Sequence, residues 1–221
     1  MSATAPTIAQ QIAELKVRNA EALPAEVGAT FAAEQRELGA AGIPAGVLAP
    51  GAPMPDGALL DAHGGPTTLA AARAGAPAVV VLYRGAWCPY CSLTLRAYEA
   101  QLFPALRERG VALIAISPQK PDGSLKTAEL NELTYTVVSD PGNQIASALG
   151  VLFTPSEEAR AAQRELGLDT TEVNADGGPG LPMPTVAVVD AGGTLGWLDV
   201  RPDYATRTEP AAIIEAVEAL S

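Results

Sequence analysis

A chain of 221 residues is long enough for one domain with an appendage, or for two small domains. Its formal charge of −11 and isoelectric point near 4.5 exclude nucleic acid and anionic membrane surfaces as partners, because both need clustered Lys and Arg. Hydrophobic residues make up 48 %, much of it alanine, yet no run approaches the roughly 18 apolar residues of a membrane span, and residues 1–30 lack the pattern of a secretory signal. A cytoplasmic location is expected.

Residues 7–23 place Ile8, Ile12, Leu15 and Ala22 on one narrow seam that Asn19 interrupts, which predicts a helix. Pro24 ends it, and residues 25–39 resume a helix with Val27, Phe31 and Leu38 on a weaker stripe. The seam fits either a homodimer interface, with Asn19 setting the register, or packing back onto the rest of the chain. Residues 40–55, rich in Gly, Ala and Pro, read as a linker. The expected division is an N-terminal helical extension (1–44) followed by the main domain (45–221).

From residue 56 strands and helices alternate. Residues 67–74 read as a short helix with Thr67 or Thr68 as N-cap. Residues 77–84 form a continuous apolar strand, and the lack of alternation implies burial on both faces. A long helix over 88–109, a strand over 111–117, a helix over 124–133 and a short strand over 135–138 follow. Residues 144–149 and 157–167 are helical, and 174–184, with three glycines and three prolines, read as an exposed loop. Residues 185–190 and 194–200 make a hairpin through Ala191-Gly192-Gly193, and 209–220 close the chain as a helix that opens at Glu209-Pro210. This order predicts an α/β fold, a mixed sheet with helices on both faces.

The chemistry gathers in Tyr83-Arg84-Gly85-Ala86-Trp87-Cys88-Pro89-Tyr90-Cys91, which holds both cysteines of the chain at a strand-to-helix turn. A helix N-terminus stabilises a thiolate, and a spacing of three on the first turn puts both sulfurs on one face. Pro89 suits that turn because its missing N–H costs nothing there. Cys88, at the helix end, is expected to be more exposed and the better nucleophile, with Cys91 resolving. Arg84 reads either as positive charge near the thiolate or as a surface arginine at the strand end, and Trp87 as a lid or a packing residue. The single histidine, His63, lies in a Gly-rich turn and reads as an exposed loop residue. It leaves a cysteine acyl-transfer mechanism without a placed base and zinc without enough ligands in one protomer, so no metal and no cofactor are expected.

The run Trp87-Cys88-Pro89-Tyr90-Cys91 resembles the thioredoxin motif in its Trp-Cys start and the glutaredoxin motif in Cys-Pro-Tyr-Cys. The wider frame resembles the peroxiredoxin-like, CxxC-carrying branch of the alkyl hydroperoxide reductase/thiol-specific antioxidant family, over roughly residues 45–218. The pieces that carry this are Ile116-Ser117-Pro118, Ser139-Asp140-Pro141-Gly142-Asn143, Leu149-Gly150-Val151, the segment 181–190 and the segment 203–210. The resemblance implies a thioredoxin-like fold with an N-terminal helical extension. It also implies a dithiol redox enzyme, a thiol–disulfide oxidoreductase or thiol-dependent peroxidase with an antioxidant role, cycling a Cys88/Cys91 disulfide. The implied partners are a peroxide or disulfide substrate and an external thiol reductant, either a thioredoxin-like protein or a low-molecular-weight thiol.

It further implies that Pro184 is a cis-proline, with Thr185 behind it, in front of the dithiol. Aligning Cys91 with the family's peroxidatic cysteine puts Cys88 where Thr or Ser belongs and Arg84 where Pro belongs, while the family's arginine position falls near Pro184. Arg201 and Arg207 are the substitutes expected from proximity. Two other readings compete: a pathway-dedicated enzyme for one metabolite, with 174–184 and 203–209 shaping a pocket, and a non-catalytic module holding a metal or Fe–S centre across a dimer.

Overall fold

The computed structural model describes residues 5–220. Its strands are β1 (Leu59–Asp61), β2 (Pro66–Thr67), β3 (Ala78–Leu82), β4 (Ala112–Ser117), β5 (Thr136–Ser139), β6 (Leu152–Phe153), β7 (Leu181–Pro182), β8 (Thr185–Val189) and β9 (Leu195–Val200). Its helices are α1 (Ile8–Ala22), α2 (Ala25–Ala41), α3 (Leu69–Arg73), α4 (Pro89–Gln101), α5 (Phe103–Glu108), α6 (Pro121–Leu130), α7 (Gln144–Leu149), α8 (Glu157–Glu165), α9 (Thr170–Val173) and α10 (Pro210–Glu218). The main sheet runs β2-β1-β5-β4-β3-β8-β9; β3, β4 and β5 are parallel, and the outer strands add antiparallel. This is the mixed sheet expected from the element order.

β3 is buried along its whole length, as its unbroken apolar run predicts. Val79 and Val81 join one core with residues of α1, α4, α5 and α10, while Val80 and Leu82 join a second with α3 and α7 on the opposite face. Each such side chain contributes about 1.5–3 kcal/mol of burial, and together they fix the strand whose end carries the redox loop.

Several boundaries differ from the sequence reading. The single long helix over 88–109 is two, α4 and α5, because Pro104 in the first turn of α5 has no N–H to continue the ladder. The stretch 40–55, expected to be a linker, is instead strapped to the domain: Leu48 N–H donates to the Leu149 carbonyl, Gly51 N–H to Leu195 and Met54 N–H to Gly193. Gly150 permits this close approach, because a Cβ there would strike the Gly46 backbone. The stretch 174–184 is not an exposed loop throughout. Asn174 is buried and its amide donates to the Gly178 and Gly180 carbonyls, while Leu181 and Pro182 pair with β6 and are buried, as are Met183 and Pro184.

The N-terminal seam packs back onto its own chain. Ile8 and Ile12 are buried in the core shared with α4 and α10. A capping box between Thr7 and Gln10 starts α1, and the Glu209 carboxylate accepts from the Ile8 and Ala9 N–H groups. α2 lies on α8 and carries a buried Glu34, whose carboxylate accepts from the Ser156 N–H and the Tyr204 hydroxyl. The helices of the extension therefore reach the neighbourhood of the redox loop.

Candidate active site: a buried dithiol between two arginines

β3 ends at Leu82, Tyr83 donates its N–H to the Ile116 carbonyl, and the chain then turns through Gly85 into α4. Gly85 has φ +152°, and a Cβ there would sit 2.5 Å from Trp87 Nε1, so the turn needs glycine. Gln119 pins the turn from below: its Oε1 accepts from the Ala86 N–H, and its Nε2 donates to the Tyr83 hydroxyl and to Thr127. Cys88 is the N-cap of α4 and Pro89 its first residue, as the motif predicts.

The two sulfurs lie 2.8 Å apart, both free thiols. That is longer than an S–S bond of about 2.05 Å and close enough for one sulfur to share the other's proton. Both residues are 1 % exposed. The expected exposure of Cys88 is thus absent: Trp87 and Tyr90 pack against the core that holds it, and Arg207 reaches its sulfur. Charge separates the two instead. Arg207 Nη2 stands 3.3 Å from Cys91 Sγ and 4.0 Å from Cys88 Sγ. Its other nitrogen, Nη1, donates to the Tyr204 and Thr206 carbonyls, which aims the guanidinium at Cys91.

Burial by itself would push the Cys91 thiol up. The Cys88 S–H, the Arg207 guanidinium, and the backbone N–H and charge of Arg84 outweigh it, and hold Cys91 well below the ordinary thiol range. Cys88 moves the other way, raised by burial and by the adjacent Cys91 sulfur. Burial also works against the charge of Arg207, yet the two sulfurs more than offset it.

Cys91, and not Cys88, lines a partly open pocket of about 10 Å³, room for roughly one water-sized molecule. Tyr98, Pro184, Thr185, Arg207 and Thr208 complete its inner wall. The Met183–Pro184 bond is trans, contrary to the expectation. Trans is the lower-energy form of an X–Pro bond, and here Met183 N–H donates to Val151 while the Pro184 carbonyl accepts from Arg201 N–H. Arg201 lines the cavity too, but its guanidinium is paired with Asp199 at 2.7 Å, and Asp199 also accepts from Thr208.

Arg84 is 4 % exposed, so it is no surface arginine. Its guanidinium carbon lies 4.0 Å from the Tyr204 ring centroid and 4.9 Å from that of Trp87. Trp87 is therefore a half-buried packing partner, and Tyr90, also half-buried, turns its hydroxyl toward Asn19 of α1. His63 is exposed, far from the site in role, its N–H donating to Asp61. Among the described residues no cluster of His, Cys, Asp and Glu is suited to a metal.

Sequence reasoning missed Tyr204, Glu34, Gln119 and Tyr98. Tyr98 carried a usable signal, lying seven residues beyond Cys91 on the same helix face, where its hydroxyl donates to the Thr208 carbonyl. The others reach the site only through tertiary packing.

The family model of the AhpC/TSA family matches residues 50–198. The chain belongs to the AhpC/TSA family. Among curated proteins, the thiol-disulfide oxidoreductase ResA of Bacillus thuringiensis subsp. konkukian is 29 % identical over 79 residues, covering 35 % of this chain and 45 % of the relative. The match thus spans about half the length of that relative. Solved structures share the fold. A peroxiredoxin-like protein from Aquifex aeolicus gives a TM-score of 0.62 at 15 % identity, over 79 % of this chain and 89 % of that one. Reduced Prx3 of Vibrio vulnificus in complex with hydrogen peroxide gives 0.62 at 18 % identity, over 77 % and 99 %. The arginine beside Cys91 comes from residue 207, beyond the matched segment.

Proposed function

We propose that this chain is a dithiol redox enzyme in which Cys91 is the attacking thiolate, Cys88 the resolving thiol and Arg207 the cation that holds the thiolate. The observation that carries this reading is Arg207 Nη2 at 3.3 Å from Cys91 Sγ, on the sulfur that faces the cavity. A small pocket beside a thiolate admits hydrogen peroxide more readily than anything bulkier, whereas a protein disulfide would have to open the cover over two buried sulfurs.

In the peroxide reaction the Cys91 thiolate attacks one peroxide oxygen. The O–O bond breaks, Cys91 becomes a sulfenic acid, and hydroxide leaves to be protonated to water. The Cys88 thiol, already 2.8 Å away, then displaces the second oxygen as water and closes the disulfide. Two equivalents of an external thiol return the pair to the dithiol. We assign this cycle to the cytoplasm, where a reducing pool sustains it, and regard it as an antioxidant activity.

A centre shared across a dimer is disfavoured because both sulfurs are buried and turned toward each other. The test is hydrogen peroxide consumption coupled to dithiothreitol, run beside insulin reduction. Peroxide turnover that is lost in Cys91→Ser, with slow insulin reduction, supports the reading. Rapid insulin reduction with no peroxide turnover points to a thiol–disulfide oxidoreductase working through an opened site.

A further inference from the structure

Arg84 is a buried cation that the thiolate chemistry leaves unfinished. Its Nε has no hydrogen-bond partner, and among the described residues its side chain makes no hydrogen bond and no ion pair. The Trp87 indole N–H beside it is also buried without an acceptor. The rings of Trp87 and Tyr204 offset part of the cost of burying the charge, but they give the guanidinium N–H groups no acceptor. Nearby carboxylates are committed elsewhere: Glu34 to Ser156 and Tyr204, Asp199 to Arg201 and Thr208. Arg207 likewise has no carboxylate partner among the described residues, only sulfur and backbone carbonyls.

In the reduced site the Cys91 thiolate is therefore the anion beside Arg207, and the charge of Arg84 also acts on it. Disulfide formation removes it and leaves two buried cations uncompensated. We propose that Arg84 is an anion subsite that fills in the oxidised state, and that it takes the carboxylate of the low-molecular-weight thiol that reduces the Cys88–Cys91 disulfide. This rests on the dithiol cycle proposed above. Exposed Pro89 and half-buried Ala86, Trp87 and Tyr90 mark the solvent side from which such a thiol arrives.

The chemistry balances with that reductant alone. Its thiolate attacks Cys88 Sγ, the Cys88–Cys91 bond breaks, and Cys91 leaves as the thiolate against Arg207, the better leaving group. A second reductant thiolate attacks the mixed disulfide, releasing the reductant's own disulfide, and Cys88 takes up a proton. Two electrons pass from two thiols to one disulfide. The restored Cys91 thiolate then competes with the carboxylate for the arginines, so the spent reductant is released as the site resets.

The experiment reduces the diamide-oxidised protein with 3-mercaptopropionate and with 2-mercaptoethanol, each rate divided by thiolate concentration. The wild type should favour the carboxylate thiol by about tenfold, the size of one charge-assisted hydrogen bond, and the ratio should fall to about one in Arg84→Met. Any general change in cysteine reactivity cancels in that ratio. An equal ratio in wild type and Arg84→Met overturns the subsite. Failure of both thiols to reduce the wild-type disulfide overturns the underlying dithiol cycle instead. Should Arg84→Met not fold, propionate titration of the wild type, read by tryptophan fluorescence, decides the matter. A saturable change in the oxidised protein alone supports the subsite, and the same response in both states, or none in either, overturns it.

Discussion

Arg207 and Arg201 stand six residues apart on one loop, yet only one addresses sulfur. Arg201 pairs with Asp199, and Arg207 is turned inward by two backbone carbonyls. Removing the charge with Arg207→Met should move the midpoint of iodoacetamide alkylation at Cys91 upward, toward the ordinary thiol value of about 8.5. Arg201→Met should leave that midpoint nearly in place. Stability follows the same shifts. Cys91 is depressed in the folded chain, so its contribution is present above about pH 8.5 and is lost as pH falls through the depressed folded value. Cys88 is raised, so its contribution is present below about pH 8.5 and is lost as pH rises through its folded value. Measured by urea unfolding against Cys88→Ser/Cys91→Ser, the reduced wild type should gain stability from acid to about pH 8 and lose it in alkali. The CxxC and its place at a helix start were legible from sequence, and Arg207 was one of two arginines the sequence offered. Which sulfur carries the charge was not, because that depends on the path of residues 201–208 across the end of α4.

Secondary structure was legible where elements are long or strongly patterned. β3, β4, β8 and β9 announce themselves by apolar runs, and α1, α2 and α10 by periodicity or by Glu-Pro starts. β1, β2, β6 and β7 are two or three residues long and exist only through their partners, so no local pattern marks them. The break between α4 and α5 had its signal in Pro104, and the helical pattern on both sides hid it. Capping across elements is a further case. Glu209 precedes α10 but its carboxylate serves the first N–H groups of α1. Glu209→Ala should therefore cost about 1 kcal/mol, and hydrogen exchange should show the loss first in α1 and not in α10. Equal loss in both helices would contradict that assignment.

The molecule as a whole spends its N-terminal helices on the redox domain. Ile8 is fully buried in the core that α4 shares, so Ile8→Ala should destabilise the protein by about 2–5 kcal/mol without changing its association state in sedimentation. A dimer seam would give the opposite pattern. Net charge also acquires a meaning at this scale. In a chain of formal charge −11, Arg207 in contact with the sulfur and the nearby charge of Arg84 both favour the buried Cys91 thiolate.

That Cys91 attacks and Cys88 resolves is tested most directly by trapping the sulfenic acid. Reduced Cys88→Ser and Cys91→Ser are each treated with one equivalent of hydrogen peroxide and dimedone, then mapped by mass spectrometry. The predicted result is a dimedone adduct on Cys91 in Cys88→Ser and little or none on Cys88 in Cys91→Ser. An adduct confined to Cys88 would contradict it.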